Sequence, residues 1–155
     1  MLKKILILAP LFITHFTEAQ ITVSKPSTAQ QVPIGKAKAG FDTVAELYYI
    51  VNGNDSTCVL LFLNEKLKKT AIDYQSIRFR NQDGTLETLY ELFKSVFAEE
   101  NKGNKAYRVN FTLGNQNSSI GVSRGKFVRM AEFRTEKGYF SLTENQTEKL
   151  FGRKD

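Results

Sequence analysis

The chain has 155 residues, 41% of them hydrophobic and 25% charged, with a formal net charge of +6, which sizes it for one soluble domain rather than two. The single cysteine, Cys58, excludes a multi-cysteine zinc site and an internal disulfide. The single histidine, His15, lies in a stretch that reads as a cleaved leader, so the mature chain would hold no Ser-His-Asp or Cys-His nucleophilic site. The basic balance mildly favours anionic partners such as nucleic acid, acidic glycans or phospholipid surfaces, although in a small exported protein it is more often a solubility property.

Residues 1–19 have the three parts of a secretory leader: Lys3 and Lys4, an apolar run from Ile5 to Phe16, and Thr17 and Ala19 at a small-residue exit. The run is too short to span a bilayer, so cleavage is expected near Ala19, with the mature chain periplasmic or secreted and lacking a transmembrane segment. Removing two lysines and one glutamate lowers the charge from +6 to +5. No cysteine lies just after the apolar run to accept lipid. The leader resembles those of proteins exported by Gram-negative bacteria.

Residues 20–40 are rich in Gln, Ser, Thr and Lys and carry Pro26, Pro33, Gly35 and Gly40. Few large apolar side chains are available to offset ordering, so this stretch reads as a flexible tether with at most one short edge strand near Ile21 to Val23. The folded domain is expected over 41–155. Ala45 to Val51 and Thr57 to Leu63, separated by Asn-Gly-Asn-Asp-Ser, predict a hairpin. Its second arm is apolar on both faces and should lie mid-sheet, with Cys58 as a small buried hydrophobe.

Tyr74 to Arg80 alternates, Ile77 and Phe79 against Tyr74, Ser76, Arg78 and Arg80. Leu86, Leu89, Tyr90, Leu92, Phe93, Val96 and Phe97 then recur at helical spacing, predicting one long helix over about 84–99, with Asp83 or Thr85 as its cap. A meander of four strands follows: Ala106 to Leu113, one around Ile120 and Val122, Phe127 to Arg134, and Tyr139 to Leu142. Thr143 and Gln146 have capping-box spacing and open a short helix that should stop at Gly152. The expected fold is therefore α+β: one antiparallel sheet of about seven strands, with the long helix and the short C-terminal helix on one face.

The motif-like strings carry little chemistry. Gly121 to Lys126 has three residues between its glycines where a phosphate loop has four, and Phe127 stands in place of the magnesium-binding Ser or Thr. Ser123 and Lys126 match S-x-x-K without its companion motifs. Glu46, Asp55, Asp73 and Glu132 are available for acid-base work, though nothing in their spacing picks out a pair. Asn52, Asn54 and Asp55 offer oxygen ligands to calcium but read better as turn residues.

The outward faces of the strands are more suggestive. Tyr74, Arg78, Arg80 and Arg108, with Asn110, Thr112, Ser119 and Ser123, combine guanidinium forks, small polar groups and a ring, which suits acidic sugars or phosphate groups. The expected function is a non-catalytic, exported ligand- or partner-binding domain of the bacterial cell envelope. It would use no cofactor and no metal, and its partner would be an anionic glycan or envelope protein rather than nucleic acid. Alternatives are a small hydrolase using carboxylates or a Ser-Lys pair, and a secreted inhibitor acting through a loop such as residues 52–56. A cleft with convergent titratable groups would favour the hydrolase.

Overall fold

The computed structural model describes residues 29–53, 55–67, 70–101, 103–124 and 128–154, so the expected leader and the possible strand near Ile21 to Val23 lie outside the described residues. The fold is α+β and contains two antiparallel four-stranded sheets rather than one sheet of seven. Sheet A is a meander of β1 (Gln30–Ala39), β2 (Asp42–Asn52), β3 (Asp55–Leu63) and β4 (Tyr74–Phe79). Helix α1 (Thr85–Ser95) leads into sheet B, the meander of β5 (Arg108–Leu113), β6 (Gln116–Arg124), β7 (Arg129–Thr135) and β8 (Tyr139–Leu142), and α2 (Glu144–Leu150) closes the chain.

The additional strand is β1, where a tether was expected. Its side chains are mostly small or polar, and only Ala37 is fully buried. What orders it is backbone: a ladder to β2 along its length and a close approach to α2. A Cβ on Gly35 would lie 2.2 Å from the Lys149 carbonyl oxygen, so glycine is what lets the helix end rest on the strand. Pro33 is tolerated because β1 is an edge strand, and the register shifts between Pro33 and Gly35.

Two further details depart from the sequence reading. Helix α1 ends at Ser95, where the Tyr107 hydroxyl lies 2.8 Å from Ser95 Oγ and the Asn101 amide donates to the Ser95 carbonyl at 2.8 Å; a single 3-10 turn, Glu99–Asn101, follows. Its N-cap is Gly84, in the left-handed region, and neither Asp83 nor Thr85 caps it. Instead Asn81 Oδ1 accepts from the Leu86 N–H at 2.9 Å, meeting one of the helix's unpaired donors from outside.

The β2–β3 hairpin, the four-strand meander and the Thr143–Gln146 capping box form where the sequence places them. Leu47, Leu60, Phe62 and Ile77 from sheet A meet Ile120, Phe133 and Phe140 from sheet B, with Leu89 and Phe93 of α1 and Leu150 of α2, in one core. Phe93 stacks on Phe133 at 6.1 Å, and Phe62 lies 4.9 Å from Phe140. Cys58 is part of this core, where burial pushes its thiol up to about 12. That marks it as an inert packing residue.

A seam of polar contacts joins the sheets outside the core. Buried Asn64, just after β3, donates to Asp73 at 2.8 Å and to the Lys137 carbonyl at 3.2 Å, while the Glu65 N–H bonds the Tyr139 carbonyl of β8 at 2.9 Å. The seam ties Asn64 and Glu65, at the start of the connection to β4, to sheet B.

Candidate functional site

Strand β4 is an edge of sheet A. Its alternation buries Ile77 and Phe79 and exposes Tyr74, Ser76 and Arg78, with Arg80 following on the exposed side of the chain. The opposite wall comes from the β5–β6 turn. Gly114 there has φ 61°, and a Cβ on it would lie 2.3 Å from the Arg78 carbonyl oxygen. Only a glycine supplies both the left-handed turn and that approach. Between the two walls runs a groove of about 510 Å³ lined by Thr57, Ser76, Arg78, Arg80, Asn115 and Gln116.

No carboxylate lines this groove among the described residues, and neither Arg78 nor Arg80 forms an ion pair there. Two same-side residues on an extended chain are about 6.6 Å apart, so two guanidinium forks present donors to one face of an incoming group. Arg cannot act as a proton donor or acceptor near neutral pH. The groove is thus equipped to hold an anion and to hydrogen-bond hydroxyls through Asn115, Gln116, Thr57 and Ser76, without a general acid or base.

The other residues of the outward set go elsewhere. Tyr74 lies at the far end of β4, about 13 Å from Arg78 along the strand, and does not line the groove. Arg108 belongs to sheet B. Its guanidinium crosses β6 over Gly121, where a Cβ would sit 3.1 Å from the Arg108 Cζ, and donates to Ser119 Oγ at 2.9 Å and Glu132 Oε1 at 2.8 Å. Arg134 donates to the same Glu132 oxygen at 3.0 Å and lies over the Tyr139 ring at 4.7 Å. Asn110, Thr112 and Ser119 line a separate groove of about 540 Å³ with Arg134 and Glu136.

The carboxylates named for catalysis do not converge. Glu46 pairs with Lys36 at 3.1 Å, Glu132 with the two arginines, and Asp73 accepts from Asn64 and Gln75. Those two amides, Asn64 first, hold the Asp73 carboxyl below its ordinary range. Asp55 sits exposed at the β2–β3 hairpin. Ser123 lies on β6, while Lys126 falls outside the described residues.

Comparison with protein-family models, curated proteins and solved structures returned no match.

Among the described residues, no three His, Cys, Asp or Glu side chains converge as a metal site, and no helix is long and apolar enough to cross a membrane. The sequence reading did not find Thr57, Gly114, Asn115 and Gln116, because they join Arg78 only through tertiary contact. Gly-Asn-Gln at 114–116 was legible as a turn and silent about what it faces.

Proposed function

We propose that this is a non-catalytic protein exported to the bacterial cell envelope, where it binds an acidic glycan through the groove between β4 and the β5–β6 turn. The observation that carries the reading is the pair Arg78 and Arg80, unpaired with acids and flanked by amide and hydroxyl side chains. Charge-assisted forks favour a carboxylate, sulfate or phosphate group, and the neighbouring amides suit sugar hydroxyls. The export half of the proposal rests on the basic, apolar and small-residue parts of residues 1–19. A hydrolase gains no support from a groove without titratable acids or bases, or from carboxylates each held by different neighbours.

The test is retention of the chain from Gln20 on heparin resin under a salt gradient. Exchanging Arg78 and Arg80 together for Ser should move elution to clearly lower salt, because exposed charge contacts are screened as ionic strength rises. Arg108→Ser, which removes an internally paired cation, should elute close to the parent chain. Equal shifts for the two variants, or none for the double exchange, would refute the proposed groove.

A further inference from the structure

The antiparallel order of sheet A brings two connections to one end, opposite the arginine groove: the β1–β2 turn at residues 40–41 and the β3–β4 connection at 64–73. Both present apolar side chains to water. Phe41 is completely exposed at the tip of the hairpin, beside Gly40 with φ 63°, and Ile72 is 84% exposed, with Leu67 and Tyr74 at 40% and 48%. Single exposed hydrophobes are ordinary. Four at one end, three on the two connections and Tyr74 at the start of β4, with the most exposed one at a projecting tip, are a different pattern.

Lysines lie near them in the chain. Lys38 lies three residues before Phe41, and Lys66 lies in the second connection. Helix α2 is drawn against β1 by a 2.7 Å bond from the Gln146 amide to the Lys38 carbonyl. The groove between helix and strand, about 600 Å³, is lined by Lys36, Lys38, Lys149 and Lys154 with Gln146 and Asn145, and by no acid among the described residues. Among the described residues, the acids near this end include Asp42, exposed beside Phe41; Asp73, bound by Asn64 and Gln75; Glu65, in contact with Ser141; Glu46, paired with Lys36; Glu144, paired with Lys94; and Glu136, exposed on the β7–β8 turn.

We infer that this end of sheet A docks on an anionic lipid surface, with Phe41 and Ile72 entering the interface and Lys38 and Lys66 meeting the headgroups. An apolar side chain on a narrow tip can enter a lipid interface without a complementary cavity, and neighbouring lysines add attraction to anionic headgroups. A protein partner would instead need a contiguous buried patch, and these four residues are divided between two connections and the start of β4. The docked molecule would keep the arginine groove facing away from the membrane, since Phe79 and Tyr74 are at opposite ends of β4.

The core draws only on residues 34–151, so the chain from Gln20 retains it and avoids the apolar leader. This chain should sediment with vesicles of phosphatidylglycerol and phosphatidylcholine, less so at high salt, and not with phosphatidylcholine alone. F41S/I72S should reduce that partition by roughly tenfold or more while melting like the parent chain, because neither side chain is buried. Phe41→Trp introduces the only indole, since the chain has no tryptophan, and its emission should shift to shorter wavelength on adding anionic vesicles. R78S/R80S should sediment unchanged, which separates this result from the glycan proposal. Failure to sediment, equal partition for F41S/I72S, or an unshifted indole would overturn lipid docking and leave the tips to a protein partner.

Discussion

The arginines on the outer faces of the two sheets follow the same alternation and have opposite fates. On β4, an edge strand, the one neighbouring strand puts Val59 opposite Arg78 and Leu61 opposite Ser76, so the register offers Arg78 no acid. In sheet B, Gly121 of β6 lies opposite both Arg108 and Glu132, and its missing side chain opens a path for the guanidinium to reach the carboxylate two strands away. Alternation decides whether an arginine points outward. The residues across the register decide whether its charge is neutralised inside the molecule or left for a ligand.

The most damaging way to test the sheet B half of this contrast is Gly121→Val. A Cβ there would meet the Tyr107 carbonyl at 2.8 Å and the Arg108 Cζ at 3.1 Å, and the backbone oxygen has little room to give. A cost of about 1–3 kcal/mol is expected, a fall in melting temperature on the order of 5 °C. Heparin retention through Arg78 and Arg80 should survive in the folded fraction. An unaltered melting temperature would mean that Arg108 does not cross the strand here.

Glu132→Gln is milder and sharpens the comparison directly. Two half-exposed arginines lose their shared carboxylate, whose own side chain is 11% exposed. The expected destabilisation is about 1 kcal/mol, in keeping with partly solvated ion pairs. Heparin retention should increase, because Arg108 and Arg134 then behave as Arg78 does. If retention stays constant, pairing with Glu132 is not what separates the two faces.

Parts of this contrast could be read before any coordinates. The outward alternation of Arg78 and Arg108, the hairpin around Gly53, the capping box at Thr143 and the stop at Gly152 are local patterns, and local hydrogen bonding realises them. The division into two sheets was not legible, because strand periodicity is identical whether β4 and β5 share a ladder or merely touch. Strand β1 was also hidden, since its order comes from β2 and α2 through backbone contacts at Gly35 rather than from its own side chains. The arginine groove needed Gly114 to seat the β5–β6 turn against Arg78, a contact between residues 36 positions apart. Gly121 gave no sign that a side chain would pass over it.

The smallest expected effect concerns a third arrangement of cations, between the helices. Lys94 Nζ donates to Glu144 and Glu148, each at 2.8 Å, and the Tyr90 hydroxyl donates to Glu148 at 3.0 Å. The bond from Lys94 is the main cause holding the Glu148 carboxyl below its ordinary 4.5, and the bonds to Glu144 and then Glu148 raise Lys94 above its ordinary 10.5. A depressed carboxyl contributes stability above the unfolded value and loses it as pH falls through the folded one; a raised ammonium contributes below the unfolded value and loses it as pH rises through the folded one. The pair therefore acts between those limits and fades on the acid side below 4.5. Because these side chains remain 22–30% exposed, the contribution is about 0.5 kcal/mol or less. Glu148→Gln should melt slightly below the parent chain at neutral pH, with the gap closing as the pH falls well below 4.5. A gap that persists unchanged in acid would show that the contact holds the helices together through packing rather than through charge.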